Sequence, residues 1–311
     1  MNEHIAANVG PAHIDIAYER LGNSDAPPVL LIQGLAAQML GWPDGFCKAL
    51  VERGLQVIRF DNRDAGRSSH LSDVPAPDLP AVLRGDLASV SYTLSDMAAD
   101  GIGLLDVLGI DSAHLVGLSM GGAIAQTAAI EHPGRVRSLT SMMSTTGDMN
   151  LGQAKPETLK ALFGGAPAVT RQEVIDRQLR AVSVIGSPGF PADLEQVSLN
   201  AGRAYDRGYD PVGIARQAIA SVASGDRTGL LRQLDLPTLV IHGLDDVMCD
   251  VSGGRATAAA IPQSRLVLIK GMGHNLPPGV WPEIAEHIAA IVRIGETRSG
   301  GAEGRLVRRA D

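Results

Sequence analysis

The chain has 311 residues, of which 45% are hydrophobic and 20% charged, enough to bury a large core as one domain or as a domain with an insertion. Its formal net charge of -7, with no run of lysines or arginines before the extreme C-terminus, disfavours nucleic acid and anionic membrane surfaces as partners. We therefore expect the partner to be a small molecule.

The N-terminal stretch "MNEHIAANVGPAHIDIAYERLG" lacks the basic start and the continuous apolar segment of a signal peptide, and no apolar run elsewhere reaches spanning length. This pattern predicts a cytoplasmic protein without stable membrane insertion. Cys47 and Cys249 have no metal-type spacing, so we expect free thiols. A homo-oligomer is compatible with the sequence, which does not specify the oligomeric state.

Short aliphatic runs recur along the chain without polar alternation, which is typical of strands covered on both faces. These runs are "PPVLLIQGL" (27–35), "LQVIRFD" (55–61), "AHLVGL" (113–118), "SLTSMMS" (138–144), "PTLVIHG" (237–243) and "RLVLIKG" (265–271). The pattern predicts a mostly parallel central sheet.

Helical patterns separate these strands. Thr93 and Asp96 resemble a capping box, and Pro282 fits the first turn of a helix with an apolar face from Ile284 to Val292. Strands that alternate with helices predict an α/β fold with helices flanking the sheet. Catalytic loops should then lie at the carboxyl ends of the strands.

One segment, 146–234, shows helical pieces but no convincing strand. Thr170 with Glu173 and Asp210 with Pro211 are helix starts within it. We interpret 146–234 as an inserted helical cap on a core built from 1–145 and 235–295. The remaining 296–311, glycine-rich, charged and aperiodic, is predicted to be a disordered tail.

A Gly-x-Ser-x-Gly pattern follows the third aliphatic run and precedes an alanine-rich helical segment. In this context Gly117, Ser119 and Gly121 predict a nucleophile elbow, a tight turn whose small residues let strand and helix approach closely. The Ser119 hydroxyl would stand above the sheet, and the backbone N–H of Met120 would be an oxyanion donor beside it. The alternative is an ordinary serine at a capped helix start.

A serine nucleophile needs a base and an orienting acid, which follow it in the order acid then histidine in this type of fold. Of eight histidines, His274 alone lies in the loop beyond the last aliphatic run, so it is the predicted base. His114 and His242, in or at the end of buried strands, are predicted to be satisfied core histidines.

Asp246 is the predicted acid, because it stands three residues after Gly243 at the end of the preceding strand. The alternatives are Asp245, which otherwise stabilises a turn or lies on the surface, Asp250, a cap or loop residue, and Asp148, which follows an earlier strand.

The second oxyanion donor should come from the loop after the first aliphatic run. Gly34 permits the turn, and the backbone N–H of Leu35 is the predicted donor. Gln33 either positions this loop or contacts substrate, or only stabilises the turn.

Five stretches carry a family resemblance: "LIQGLAAQMLGWPDGF", "VIRFDNRDAGRS", "HLVGLSMGG", "PTLVIHGLDD" and "GMGHNLP". The chain resembles an α/β-hydrolase with a cap, and within that superfamily the aclacinomycin methylesterase-like group and mycobacterial lipase and esterase relatives.

The resemblance implies that Ser119 is the nucleophile, Asp246 the acid and His274 the base, with Leu35 and Met120 as backbone donors. It also implies that Asp61, Arg63 and Asp64 are structural. One departure is Gln33, which stands where many relatives have histidine.

These residues predict a serine esterase or lipase that cleaves a small or medium carboxylic ester through an acyl-enzyme, without metal or organic cofactor. The same triad also serves thioester, lactone and carbon–carbon bond hydrolysis and perhydrolysis. Epoxide hydrolases and haloalkane dehalogenases are disfavoured, since they carry aspartate at the position of Ser119. A ligand receptor on the same fold is the alternative of another class.

Overall fold

A computed structural model describes residues 2–307, with side chains except at position 83 and at 299–307. It contains one sheet of eight strands, in the order β1-β2-β4-β3-β5-β6-β7-β8. The strands are β1 (Glu3–Val9), β2 (Ile14–Leu21), β3 (Pro28–Ile32), β4 (Gln56–Phe60), β5 (Ala113–Leu118), β6 (Val136–Met142), β7 (Thr238–Gly243) and β8 (Arg265–Ile269). Strands β3 to β8 run parallel, and β2 pairs antiparallel with both β1 and β4.

The six aliphatic runs correspond to β3 through β8, so the predicted mostly parallel sheet is confirmed. The hairpin of β1 and β2 was not predicted. It lies at the sheet edge, and only Ala6 and Val9 of β1 are buried, so its sequence lacks a continuous apolar run.

Helices flank the sheet and fill most of the connections. They are α1 (Asp44–Val51), α2 (Leu79–Leu83), α3 (Leu94–Val107), α4 (Met120–Glu131), α5 (Pro156–Phe163), α6 (Arg171–Ile185), α7 (Leu194–Arg207), α8 (Pro211–Ala223), α9 (Thr228–Leu231), α10 (Val251–Ala260) and α11 (Trp281–Val307). Thr93 and Thr170 form capping boxes and Asp210 caps α8, as the sequence predicts. Within residues 2–307, no helix has the combination of length and apolarity needed to cross a bilayer.

The core has two layers, one on each face of the sheet. In β3, Leu30 and Ile32 pack into the layer that contains α3 and α4, whereas Val29 and Leu31 pack into the layer that contains α1 and α11. Successive strand residues point to opposite faces. Because helices cover both faces, every position of β3 is apolar or proline, which explains the absence of alternation.

The segment between β6 and β7 is fully described and contains α5 to α9 without a strand. This agrees with the helical character predicted for 146–234. Hydrogen bonds join this segment to the loops after β3 and β8, both of which lie at carboxyl ends of parallel strands. This helical segment is thus attached at the edge where the predicted site residues are found.

The last helix continues to Val307, past the point where the sequence predicted a disordered tail. Glu296 accepts a hydrogen bond from Arg137 Nη1 at 2.8 Å and lies 3.0 Å from His114 Nε2, and Arg298 pairs with Asp235 at 3.2 Å. The prediction is therefore wrong for residues 296–298, because the partners of Glu296 and Arg298 are distant in sequence and leave no local signal. Residues 308–311 lie outside the described residues.

His114 is a satisfied core histidine, as predicted. It is fully buried, its Nδ1 lies 2.8 Å from Ser138 Oγ, and its Nε2 contacts Glu296. Burial lowers its pKa to about 4 despite the carboxylate, so the ring is neutral at pH 7.

The two cysteines are free and buried, as the sequence predicts. Burial raises the pKa of Cys47 to about 11 and that of Cys249 well above its usual value. Both are therefore protonated thiols at neutral pH, and neither has the thiolate character of a reactive cysteine.

Candidate active site

Ser119 lies at the turn from β5 into α4, with φ 57° and ψ -122°. Residues with a side chain rarely adopt this conformation, and it is a known form of strain at functional sites. The turn is held from the neighbouring strand, since the Ser119 amide donates to the carbonyl of Met142 at 2.8 Å.

The glycines on either side of Ser119 are required by close backbone contacts. A Cβ on Gly117 would lie 2.0 Å from the carbonyl oxygen of Gly121, and a Cβ on Gly121 would lie 2.1 Å from that of Ile32. Neither partner is a flexible side chain. The backbone of α4 can therefore approach β5 only because Gly117 lacks a side chain, and it can approach β3 only because Gly121 lacks one.

Gly117→Ala should lower the free energy of unfolding by about 3 kcal/mol or more, because the added methyl overlaps the backbone of α4. Gly134→Ala is the matched control, since a methyl group added there would have nothing within 4 Å of its carbon, and its effect should stay below about 1 kcal/mol. Urea unfolding of both variants measures the difference. Equal stabilities would contradict the packing argument.

The structure brings the three predicted triad residues together from three separate loops. His274 Nε2 lies 3.0 Å from Ser119 Oγ, and His274 Nδ1 lies 2.7 Å from Asp246 Oδ2. The serine and the histidine are 155 residues apart in sequence. The two contacts form a continuous hydrogen-bonded chain from hydroxyl to carboxylate.

The Asp246 carboxylate is buried and fixed by the backbone of its own loop. Its Oδ1 accepts hydrogen bonds from the amides of Met248, at 2.9 Å, and Cys249, at 2.8 Å. Oδ2 is thereby directed to the histidine.

The alternative acids have other partners. Asp245 Oδ2 accepts from the Gly271 amide at 2.7 Å, Asp250 caps α10 through the Ser252 amide, and Asp148 bonds Asn150.

His242 lies beside Asp246 but is not part of the hydrogen-bonded series that runs from Ser119 through His274 to Asp246. Its Nε2 is 2.7 Å from the carbonyl oxygen of Cys249 and 3.6 Å from Asp246 Oδ2. A carbonyl only accepts, so Nε2 carries the proton, and burial lowers the pKa of the ring below its usual value. Its Nδ1 is buried without a hydrogen-bond partner among the described residues, so the prediction of a fully satisfied core histidine is only half right.

The two predicted oxyanion donors flank the serine. A Cβ on Gly34 would lie 3.6 Å from Ser119 Oγ, which places the loop after β3 against the nucleophile, and Met120 begins α4. Within residues 2–307, neither the Leu35 nor the Met120 amide hydrogen-bonds a protein acceptor. Both donors remain available to a ligand oxygen.

Gln33 stabilises the turn of this loop. It is 3% exposed, and its Oε1 accepts a hydrogen bond from the Gly34 amide at 2.9 Å. Its Nε2 packs against Gly41, and its backbone carbonyl accepts from Asn62 Nδ2 at 3.0 Å. Of the roles considered from sequence, turn stabilisation is the one these contacts support.

The last residue of α6 and the connection between α6 and α7 hold the loop that carries His274. The His274 amide donates to the carbonyl of Ile185 at 2.7 Å, and the Gly273 amide donates to Ser187 Oγ at 2.9 Å. The Ser187 hydroxyl in turn donates to Asn275 Oδ1. Sequence reasoning missed Ser187, because a serine in a loop carries no sign of a partner 86 residues away.

A cavity of about 560 Å³ lies between this connection and the loop after β7. Val182, Phe190 and Asp250 contribute to its wall, as does Asp246, whereas Ser119 and His274 do not line it. It adjoins the acid rather than the nucleophile, so we do not assign it to the reacting ester.

One cluster among the described residues has the composition of a metal site, formed by Asp64, His70 and Asp210, whose ligand atoms lie within 4.8 Å of one another. Arg216 already supplies the positive charge there. Its guanidinium contacts both Asp64 oxygens at 2.8 Å and Asp210 at 3.4 Å. The cluster therefore joins α8 to the loop after β4.

A family model described as alpha/beta hydrolase fold matches residues 27–277. The chain belongs to the α/β-hydrolase fold family. Among its curated relatives, rhodomycin D methylesterase of Streptomyces peucetius is 30% identical over 299 residues, covering 88% of this chain and 94% of the relative. The rhodomycin D methylesterase of Streptomyces sp. (strain C5) is 28% identical over the same coverage. The predicted resemblance to methylesterases is confirmed.

Solved structures of α/β-hydrolases superpose on nearly the whole chain. A thermophilic esterase from Thermogutta terrifontis matches with a TM-score of 0.64 and 26% identity, covering 95% of this chain and 99% of that one. A putative aryl esterase from Burkholderia cenocepacia matches with a TM-score of 0.71 at 17% identity, covering 95% and 100%, and bears on the fold alone.

Proposed function

We propose that this α/β-hydrolase is a carboxylic ester hydrolase that works through a Ser119–His274–Asp246 triad and an acyl-enzyme. The observation that carries the proposal is the hydrogen-bonded chain from Ser119 Oγ through both nitrogens of His274 to Asp246 Oδ2, with distances of 3.0 Å and 2.7 Å. Its relatives named as methylesterases support the same reaction class.

The surroundings of Asp246 set the tautomer of His274. Oδ1 of the carboxylate is occupied by two backbone amides, so Oδ2 accepts the Nδ1 proton. Nε2 is then unprotonated and faces the Ser119 hydroxyl, which is the arrangement a general base needs.

In the first half of the reaction, Ser119 Oγ attacks the ester carbonyl carbon while His274 Nε2 takes the hydroxyl proton. The amides of Leu35 and Met120 stabilise the negative oxygen of the tetrahedral intermediate, and removal of one such donor costs roughly 3 kcal/mol in a studied enzyme. The C–O bond then breaks, and the alcohol leaves with the proton from His274. Water repeats the sequence against the acyl-enzyme and returns the free acid.

Hydrolysis of a p-nitrophenyl ester series from acetate to palmitate, together with methyl esters of aromatic acids, tests the proposal. We expect turnover, with a preferred acyl length that measures the space beside Ser119. The methyl esters belong in the series because the relatives are named for methyl ester cleavage. No turnover of any ester by the folded protein would contradict the proposal and favour another acyl bond or ligand binding without catalysis.

A further inference from the structure

The side chain of Gln217 joins the cap to the loop that carries the proposed oxyanion donor Leu35. Gln217 lies on α8 and is fully buried. Its Oε1 accepts a hydrogen bond from the Ala36 amide at 3.0 Å, and its Nε2 donates to the carbonyl of Arg63 at 2.8 Å. A backbone N–H can only donate and a backbone carbonyl can only accept, so the two partners fix the orientation of the glutamine side chain.

The loop segment 33–36 needs such contacts, because Ala36 has a φ of 63°. Residues with a side chain rarely occupy this left-handed region, and they do so where the surrounding structure holds them. Of the loop's hydrogen bonds, the one from Ala36 to Gln217 joins the two most widely separated positions, 181 residues apart. The left-handed residue is thus held from the cap.

Two glutamine side chains accept hydrogen bonds from two of the backbone amides in this loop. Gln33 accepts from Gly34, and Gln217 accepts from Ala36. The Leu35 amide between them has no protein acceptor among the described residues. We infer that Gln217 is a positioning residue, which holds the loop so that the Leu35 N–H is directed at the oxyanion; this inference rests on the proposed function.

Gln217 can act in this way because α8 is itself fixed. The preceding residue, Arg216, bonds both oxygens of Asp64 at 2.8 Å, and the hydroxyl of Tyr92 donates to the same carboxylate at 2.8 Å. Arg216 and Asp64 are both at most 3% exposed. The loop, the cap helix and the strand β4 that precedes Asp64 therefore form one connected unit, through which the cap positions the loop.

Gln217→Met tests the inference, because methionine keeps the length and removes both hydrogen bonds. We expect kcat to fall about 10- to 100-fold while KM changes less than about 2-fold, since an oxyanion contact forms only in the transition state. Gln217→Glu keeps an acceptor for the Ala36 amide, so its kcat should lie between wild type and Gln217→Met. This second variant also provides a test if the methionine variant does not fold.

Gln126→Met is the matched control. Gln126 is also fully buried and also uses both ends of its side chain, toward Ser141 at 3.0 Å and Arg227 at 3.2 Å. Both of these partners lie outside the 33–36 loop. We expect a comparable loss of thermal stability with wild-type kcat. An equal fall of kcat in both variants, or wild-type kcat in folded Gln217→Met, would overturn the inference.

Amide hydrogen exchange in the 33–36 loop provides a readout that does not depend on turnover. We expect faster exchange in Gln217→Met than in wild type and no change in Gln126→Met. Absence of ester turnover in wild type would contradict the proposed function, and the exchange comparison would still decide the inference. Unchanged exchange of the loop in folded Gln217→Met would count against it.

Discussion

Ser119→Ala should abolish ester hydrolysis, with a fall in kcat on the order of 10⁶-fold, the size measured when a triad serine is removed from a related type of mechanism. Ser119 contributes the only nucleophilic oxygen of the proposed triad. Alanine keeps the Cβ at φ 57°, so the backbone of the elbow experiences no new strain. We expect the free energy of unfolding to stay within about 0.5 kcal/mol of wild type.

The measurement combines p-nitrophenyl ester turnover with labelling by a fluorophosphonate, which modifies activated serine hydroxyls. Wild type should be labelled once per chain and Ser119→Ala should not. Ser144→Ala is the control, because Ser144 is a buried serine in the loop after β6. Wild-type rates in Ser119→Ala would rule out the mechanism.

Local sequence signals predicted most of the sheet and the elbow. The runs that became β3 to β8 are apolar because both faces are covered, and the elbow glycines are small because backbone atoms lie within about 2 Å of any Cβ there. Each cause constrains several residues that are close together in sequence, so both leave a visible pattern, although the atoms that impose it, such as the Ile32 carbonyl opposite Gly121, are distant. The edge strand β1, in which only Ala6 and Val9 are buried, has no continuous apolar run and left no such pattern.

The supporting residues could not be predicted, because their partners come from distant parts of the chain. Gln217 meets Ala36 across 181 residues, and Ser187 meets Gly273 across 86. Neither residue type nor local spacing signals such a contact. The same reasoning applies to Glu296, whose partners on β5 and β6 hold a segment that its composition alone predicts to be a disordered tail.

Asp246→Asn should lower kcat by about 10⁴-fold, as the equivalent change does in a serine protease, without unfolding the chain. The fall in kcat is expected because the backbone amides of Met248 and Cys249 require an acceptor at the Oδ1 position. The asparagine must therefore place its carbonyl oxygen there and turn its NH₂ group toward His274 Nδ1. That nitrogen then accepts instead of donating, the proton moves to Nε2, and the base can no longer take the proton of Ser119.

Asp245→Asn separates this effect from a mere loss of charge, because it removes the same charge from the adjacent residue. Asp245 accepts from the Gly271 amide, and an asparagine oxygen can keep that bond. We expect kcat within about 3-fold of wild type, since exposed substitutions that keep their contacts have small effects. The kcat values of both variants, measured with one ester, decide the assignment. A large loss in Asp245→Asn beside a small one in Asp246→Asn would place the acid one residue earlier, where the carboxylate accepts from the Gly271 amide and does not contact His274.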